Sequence, residues 1–400
     1  MSAISKYWNE FVTPEVSCTL IAHPGKSCVE HNLSQMRTTV LGNMQFFIPV
    51  SLLRLFLLVY SRKAIKWEIV RQTLLEFCCM VANGWSASNS WTVGFCAMYN
   101  IFGRMINNYC VSLPGLAGSL VMFWMPLYVQ SSHSRAVFNV FLECWIKSRE
   151  HPLLEYARES KVIGTVAFMI ISAVIGYFAQ RTKTAEFWFF SPLKKNLNSA
   201  IDQTTKPCFH RNDCLHYILE GMKTCFTFGM ILELARKLIG SAAKIRRQPA
   251  MVLRSISSIR FKFVAFLTLY NGLFRLATCL LARFRGKVSM SDSTLAGAVS
   301  GLSYSLSPNY NVFNLAVTAM AQNCWNFLGE MYTRSKAIQR LHQLPISSIV
   351  WVILINYNLY SRAYYPYAMS KYALKFTDMC SYSQARTASA NLAKLFLGAI

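Results

Sequence analysis

The chain has 400 residues, of which 54% are hydrophobic and 14% charged, and its formal net charge is +24. Soluble domains carry about 25% charged residues, so this composition argues against a soluble protein and provides material for several bilayer spans of roughly 20 residues each. The positive charge lies in blocks between apolar runs, which favours anionic lipid headgroups over nucleic acid as its partner.

Residues 1–33 are predicted to be an N-terminal Cys/His segment. The first 20 residues lack the long apolar core of a secretory signal, so membrane entry is expected to depend on internal segments. Four residues of a type that binds zinc follow closely in this segment. They are Cys18, His23, Cys28 and His31.

Residues 34–182 are predicted to be a first membrane repeat. Its apolar runs are 44–60, 68–84, 91–105, 112–129, 135–146 and 162–179. Only 44–60, 112–129 and 162–179 are long and apolar enough to span a bilayer unaided. Gly115 and Gly118 are predicted to allow close helix packing, because small residues let two backbones approach in lipid.

Residues 183–217 are predicted to be a linker with a second Cys/His cluster. Within nine residues, "CFHRNDCLH", it contains four further candidate zinc ligands, which are Cys208, His210, Cys214 and His216. Neither cluster has the spacing of a standard zinc finger.

Residues 218–362 are predicted to be a second membrane repeat, followed by a C-terminal tail at 363–400. The apolar runs of this half are 217–240, 261–284, 294–306, 312–328 and 347–360, and Asn271 and Gly272 mark a candidate break in the second run. Gly297 and Gly301, flanked by small residues, are again predicted to serve helix packing.

Matched residues recur in the same order in both halves. The pairs include Cys28 with Cys214, Cys96 with Cys279, Gly103 with Gly286, Gly118 with Gly301, Pro126 with Pro308 and Cys144 with Cys324, and their offset falls from 186 to 180 along the chain. The sequence therefore predicts an all-α, polytopic helical membrane protein built from two duplicated halves, each of about five to six helical segments.

Three interpretations of the Cys/His clusters remain open at this stage: structural zinc, a disulfide within or between clusters, and plain thiols near the membrane surface. A structural role on the protein surface is expected, in which each cluster pins the entry of its half's first helix. Zinc binding would weaken as pH falls, because the ligands must be deprotonated, whereas a disulfide would be loosened by reductant.

Signatures of catalysis are not found in the sequence. It shows no His-x4-Asp pair, no Asp-His-His-Cys, no diiron histidine boxes, no Gly-x-Ser-x-Gly elbow and no Gly-Asp intramembrane aspartate motif. We therefore expect no enzyme, no catalytic or cofactor-binding residue and no cofactor other than the zinc considered above.

Four segments resemble the transmembrane protein 135 family, also called peroxisomal membrane protein 52. They are "CTLIAHPGKSC", the block 74–120, "CFHRNDC", and a later block from "FKFVAFLTLYNGLFRLATCLLARF" to "STLAGAVSGLS" that is also similar to a translocase subunit of the inner mitochondrial membrane. The resemblance covers roughly residues 15–335. The chain looks shorter between its halves than the vertebrate members.

The resemblance implies a multi-pass protein of peroxisomal and mitochondrial membranes. It would be linked to the balance of mitochondrial fission and fusion, to peroxisome organisation and to lipid handling, with lipid or metabolite passage as one hypothesis. Partners would be anionic lipids and the organelle division or import machinery. Two alternatives remain, a plasma-membrane ligand-gated channel or chemoreceptor and a membrane enzyme of lipid metabolism.

Overall fold

The computed structural model describes the greater part of the chain. The described residues are 17–62, 67–103, 113–147, 159–181, 213–247, 261–286, 290–331 and 371–381, with isolated positions at 208–210, 335–369 and 386–391. Within these ranges the structure consists of helices and turns, without a strand. The expectation of an all-α protein is therefore confirmed.

The chain divides into two compact units, residues 1–149 with 345–400 and residues 150–344. The helices of the first unit are α1 (Cys18–Ile21), α2 (Cys28–Arg62), α3 (Trp67–Phe102), α4 (Leu113–Ser119), α5 (Leu127–Lys147) and α11 (Lys371–Cys380). Those of the second are α6 (Lys161–Arg181), α7 (Cys214–Arg247), α8 (Phe261–Arg285), α9 (Met290–Gly301) and α10 (Tyr310–Met331).

In the first unit, α2 and α3 pack against each other through buried polar side chains. The Asn89 amide donates to the Thr39 hydroxyl at 2.9 Å, and the Trp85 indole donates to the Met36 carbonyl at 2.9 Å. The runs 68–84 and 91–105 were predicted as separate segments, and this prediction is wrong. The polar stretch between them belongs to one continuous helix and faces α2.

The predicted span 112–129 is broken in the structure. Helix α4 tightens into a 3-10 turn at Leu120–Trp124, and Met125 is extended, with ψ 153°. Pro126 explains the break, because a proline disfavours helical geometry at the preceding residue. The second unit has the same arrangement, with a 3-10 turn at Leu302–Leu306 shortly before Pro308.

The predicted C-terminal tail contains a helix, α11, that packs on α2. The carbonyl of its last residue, Cys380, accepts hydrogen bonds from the Asn43 amide at 3.0 Å and the Ser88 hydroxyl at 3.1 Å. Both donors are buried. Side chains of the first helix pair thus satisfy a carbonyl that would otherwise lack an intrahelical partner.

An aromatic core forms the centre of the second unit. Phe168 stacks on Tyr304 with ring centroids 4.5 Å apart, and the Tyr270 hydroxyl donates to Ser172 at 3.0 Å. The candidate break at Asn271 and Gly272 does not occur, since α8 is continuous across them. Gly272 instead leaves room for the side chain of Met222 on α7.

Glycines bring helix backbones into close contact in both units, as predicted for three of the four packing glycines. A Cβ added at Gly301 would lie 2.6 Å from the Met169 Cα, and one at Gly297 would lie 2.4 Å from the Ser172 carbonyl oxygen. A Cβ at Gly118 would lie 2.3 Å from the Ser90 Cβ. The fourth, Gly115, is buried.

The two units contain helices in the same order, but the units do not coincide with the predicted repeats. Helix α6 closes the first repeat in sequence and lies in the second unit. The helical residues 352–355 close the second repeat and lie in the first unit. Each unit also ends its second long helix at a left-handed glycine, Gly103 with φ 62° and Gly286 with φ 65°.

Two of the described helices could cross a bilayer by length and composition, at Lys161–Phe178 and Phe261–Arg285. The first matches the predicted span 162–179. The predicted span 44–60 lies inside the continuous helix α2 and does not meet the same criterion within the described residues.

Candidate metal centres

Three residues of the N-terminal Cys/His segment meet a cysteine from a distant helix. Cys18, His23, Cys28 and Cys96, hereafter the first quartet, offer one ligand atom each, and these atoms lie within 4.8 Å of one another. The Cys18 and Cys28 sulfurs are 3.4 Å apart, and the His23 Nε2 lies 3.2 Å from the Cys96 sulfur. Cys18, His23 and Cys96 are buried.

The ring of His23 is oriented for metal binding. Its Nδ1 lies 2.9 Å from the Lys26 carbonyl oxygen. The carbonyl can only accept, so Nδ1 carries the proton and Nε2 presents its lone pair to the three thiols. A histidine ligand typically donates its second ring N–H to a backbone carbonyl or carboxylate in this way.

Burial affects the thiols of the first quartet. It raises the pKa of Cys18 to about 11, with a further contribution from Cys28. In the absence of a metal this thiol therefore keeps its proton at neutral pH, and a metal ion must displace that proton to bind.

The second Cys/His cluster forms a matching arrangement. Cys208, His210, Cys214 and Cys279, hereafter the second quartet, also have their four ligand atoms within 4.8 Å of one another. The Cys208 and Cys214 sulfurs are 3.7 Å apart, and the His210 Nε2 lies 3.3 Å from the Cys279 sulfur. The donor set is again three sulfurs and one imidazole nitrogen.

The separations fit a tetrahedral zinc ion. Zinc–sulfur bonds of about 2.3 Å and zinc–nitrogen bonds of about 2.0 Å place neighbouring ligand atoms about 3.6–3.8 Å apart. The separations of 3.2–3.7 Å lie close to these values. They far exceed the disulfide bond length of about 2.05 Å, and all six cysteines are free. The disulfide interpretation is thus not what the structure contains.

The fourth ligand of each cluster was predicted wrongly. His31 and His216 were expected, but Cys96 and Cys279 complete the quartets. His31 stacks beside the ligand His23, with ring centroids 4.7 Å apart, and burial lowers its pKa to about 4. His216 is exposed. The reason is topological, since the ligand that completes each tetrahedron comes from the next long helix.

The expected surface location is also wrong for the first quartet. Cys18 is 3% exposed and His23 2% exposed. Cys208, His210 and Cys214 are half-buried, so the second quartet lies nearer the surface of its unit. The cysteine of each neighbouring helix, Cys96 or Cys279, is buried in both cases.

Each quartet lies at the open end of a helix pair. Cys28 and Cys214 are the first residues of α2 and α7, and Cys96 and Cys279 lie in the last two turns of α3 and α8. Helices α2 and α3 pack together, as do α7 and α8. A metal ion would join the start of one helix to the end of the next, opposite the loop that connects them. This arrangement provides the predicted pin at the entry of each first helix.

An aromatic ring supports the histidine ligand of the second quartet. Tyr217 stacks on His210 with centroids 4.5 Å apart and an interplanar angle of 11°. The Arg275 guanidinium covers the other side of Tyr217 at 4.2 Å and donates to its backbone carbonyl. At an offset of 186, Tyr217 is the counterpart of His31. A ring at this position therefore orients the ligand histidine in both units.

Tyr217 is expected to position His210 through its ring and not through its hydroxyl. Tyr217→Ala should weaken zinc binding at the second quartet about tenfold, the lower end of the effect of removing a group that orients a metal ligand. Tyr217→Phe keeps the stack and should bind like the parent. Competition with a chromophoric zinc chelator measures both. Equal affinities of the alanine and phenylalanine variants would contradict the role of the ring.

Comparison with models of known protein families, with curated proteins and with solved structures finds no match.

Proposed function

We propose that the chain is a non-enzymatic, multi-pass organelle membrane protein made of two duplicated helical halves, each held together by one structural zinc ion. The observation that carries this proposal is the recurrence of the same donor set. Three cysteines and one histidine meet in each unit, and in each the first residue of one long helix faces the end of the next.

The case for duplication rests on corresponding positions outside the quartets as well. Both halves have a left-handed glycine after their second helix, at Gly103 and Gly286, and a 3-10 turn before Pro126 or Pro308. Independent helical bundles would have no reason to share these details at an offset of 182–183 residues.

The membrane setting is supported by apolar surface and by flanking charge. Phe284 on α8 is 91% exposed, and Val162, Val166 and Ile170 form an exposed stripe at i, i+4 spacing on α6. Large apolar side chains at such exposure are costly in water. Lys161 and Arg181, at the two ends of α6, suit anionic headgroups at either face of a bilayer.

The organelle assignment rests on the resemblance to the transmembrane protein 135 family. It places the chain in peroxisomal or mitochondrial membranes, with roles in organelle division, peroxisome organisation and lipid handling. Fluorescently tagged full-length protein should colocalise with a peroxisome or mitochondrion marker in cells. A signal confined to the plasma membrane would contradict this assignment and favour the channel or receptor alternative.

Metal analysis tests the zinc proposal. Full-length protein purified in detergent without chelator should contain two zinc ions per chain, and Cys214→Ser should contain one. His216→Ala is the matched control, because His216 neighbours the second quartet but is exposed, and it should keep two. Protein that binds no zinc on purification or after zinc addition would leave the quartets as buried thiols and refute the proposal.

A further inference from the structure

The two quartets differ in how accessible their ligands are. In the first quartet, Cys18, His23 and Cys96 are at most 3% exposed, and only Cys28 is half-buried. In the second, only Cys279 is buried, and the other three ligands are half-buried. A zinc ion leaves such a site when an incoming ligand attacks it and replaces the protein ligands one by one. Access to the ligands therefore governs how fast the metal exchanges.

A cation beside the second quartet provides a further difference. Arg283 lies on α8 one turn after Cys279 and is exposed, and its guanidinium interacts with the thiols of Cys214 and Cys208. At the offset of 183 that relates Cys96 to Cys279, the first unit has Asn100, which is exposed and uncharged. Only the second quartet thus combines accessible sulfurs with an exposed positive charge at this position.

We propose that the second quartet is a zinc-exchange site, which transfers its ion to and from an anionic acceptor that offers thiolate or carboxylate ligands. The first quartet retains its ion. This inference rests on the proposed function, because it assigns different roles to the two zinc ions proposed above.

The exchange is a ligand substitution without a change of oxidation state. Each Zn–S bond to Cys208 or Cys214 that breaks is replaced by a bond from a sulfur or oxygen atom of the acceptor. The released thiolate takes a proton from water or remains as an anion beside Arg283. The guanidinium serves two purposes: it attracts the negatively charged acceptor to the site and it stabilises the thiolate that departs from the metal.

Zinc release from the full-length chain in detergent tests the proposal. Protein loaded with two zinc ions is mixed with an excess of EDTA, which is anionic, and the released zinc is followed over time. One ion should leave at least about tenfold faster than the other, since the first quartet must open locally before a chelator reaches it. Cys214→Ser should lose the fast phase and Cys28→Ser the slow phase.

Arg283→Asn keeps every ligand and installs the residue found at the corresponding position of the first unit. Loss of electrostatic attraction should slow the fast phase about tenfold with EDTA, and much less with a neutral pyridine-based chelator. Added salt should reduce the difference between Arg283→Asn and the parent with EDTA.

Three outcomes would overturn the exchange site: release of both ions at one rate, assignment of the fast phase to the first quartet, or an Arg283→Asn variant that releases zinc like the parent with both chelators. All three leave two bound zinc ions and therefore leave the proposed function intact. A protein that binds no zinc refutes the proposed function itself, so the two failures are distinguishable. If Cys214→Ser does not fold, Arg283→Asn still decides, because it alters no ligand.

Discussion

Replacing Cys96 by serine is expected to remove one of the two zinc ions and to lower the thermal transition of the protein by about 10 °C or more in detergent. Structural zinc contributes folding free energy directly, with apparent binding energies of about 10–16 kcal/mol in zinc-finger peptides. Cys96 joins the end of α3 to the start of α2 through the first quartet. Its loss should therefore release the open end of this helix pair.

The matched control is Cys78→Ser. Cys78 lies on the same helix and is exposed, so its substitution should leave two zinc ions and the thermal transition unchanged. Metal analysis and a thermal shift of the same samples give both readouts. A Cys96→Ser variant that keeps two zinc ions, or one whose transition matches that of Cys78→Ser, would contradict the role of Cys96 as a ligand.

The fourth ligands show where sequence reasoning stopped. Cys28 and Cys96 are 68 residues apart, and no spacing rule for a linear zinc motif joins residues on two helices at that distance. Both cysteines nevertheless belonged to the matched pairs, with Cys214 and Cys279 as partners. His31 and His216 match only at an offset of 185, whereas the neighbouring cysteines match at 186. This one-residue slip could have indicated that His216 does not take the place of His31.

Helix boundaries were predictable where proline or glycine determines them and uncertain where polar residues face a partner helix. Gly103 and Gly286, which mark the ends of α3 and α8, were identified from sequence as a matched pair. The stretch from Trp85 to Ser90 looked like a gap between two apolar runs, because a single sequence does not show that Asn89 bonds to Thr39 on α2. Buried polar contacts between helices thus account for the incorrect division of α3.

The division into units could not be read from the repeats. A repeat is defined by the order of residues along the chain, whereas a compact unit is defined by contacts. Helix α6 carries the matched residues Ile175 and Tyr177 of the first repeat, yet its Phe168 packs in the aromatic core formed by α8 and the residues after α9. Sequence offsets contain no information about which copy of a neighbouring helix a segment contacts.

The Gly301→Ala substitution is expected to destabilise the second unit by about 1–3 kcal/mol, as added volume does in a well-packed interior. The new Cβ would lie 2.6 Å from the Met169 Cα and 3.0 Å from the Met169 nitrogen, both backbone atoms of α6. Backbone atoms cannot move aside as a flexible side chain can, so α6 and α9 must separate.

Gly164→Ala on α6 is the matched control, because its Cβ would meet only the Tyr304 ring edge at 3.8 Å, an ordinary contact. It should be neutral or stabilising by up to about 1 kcal/mol, the difference in helix propensity between the two residues. Gly286, considered from sequence as the tolerant comparison, is unsuitable since its φ of 65° strains any other residue. Thermal transitions of the two variants in detergent measure the difference. If Gly301→Ala proves as stable as Gly164→Ala, the close approach of α6 and α9 at this glycine is not present in the folded protein.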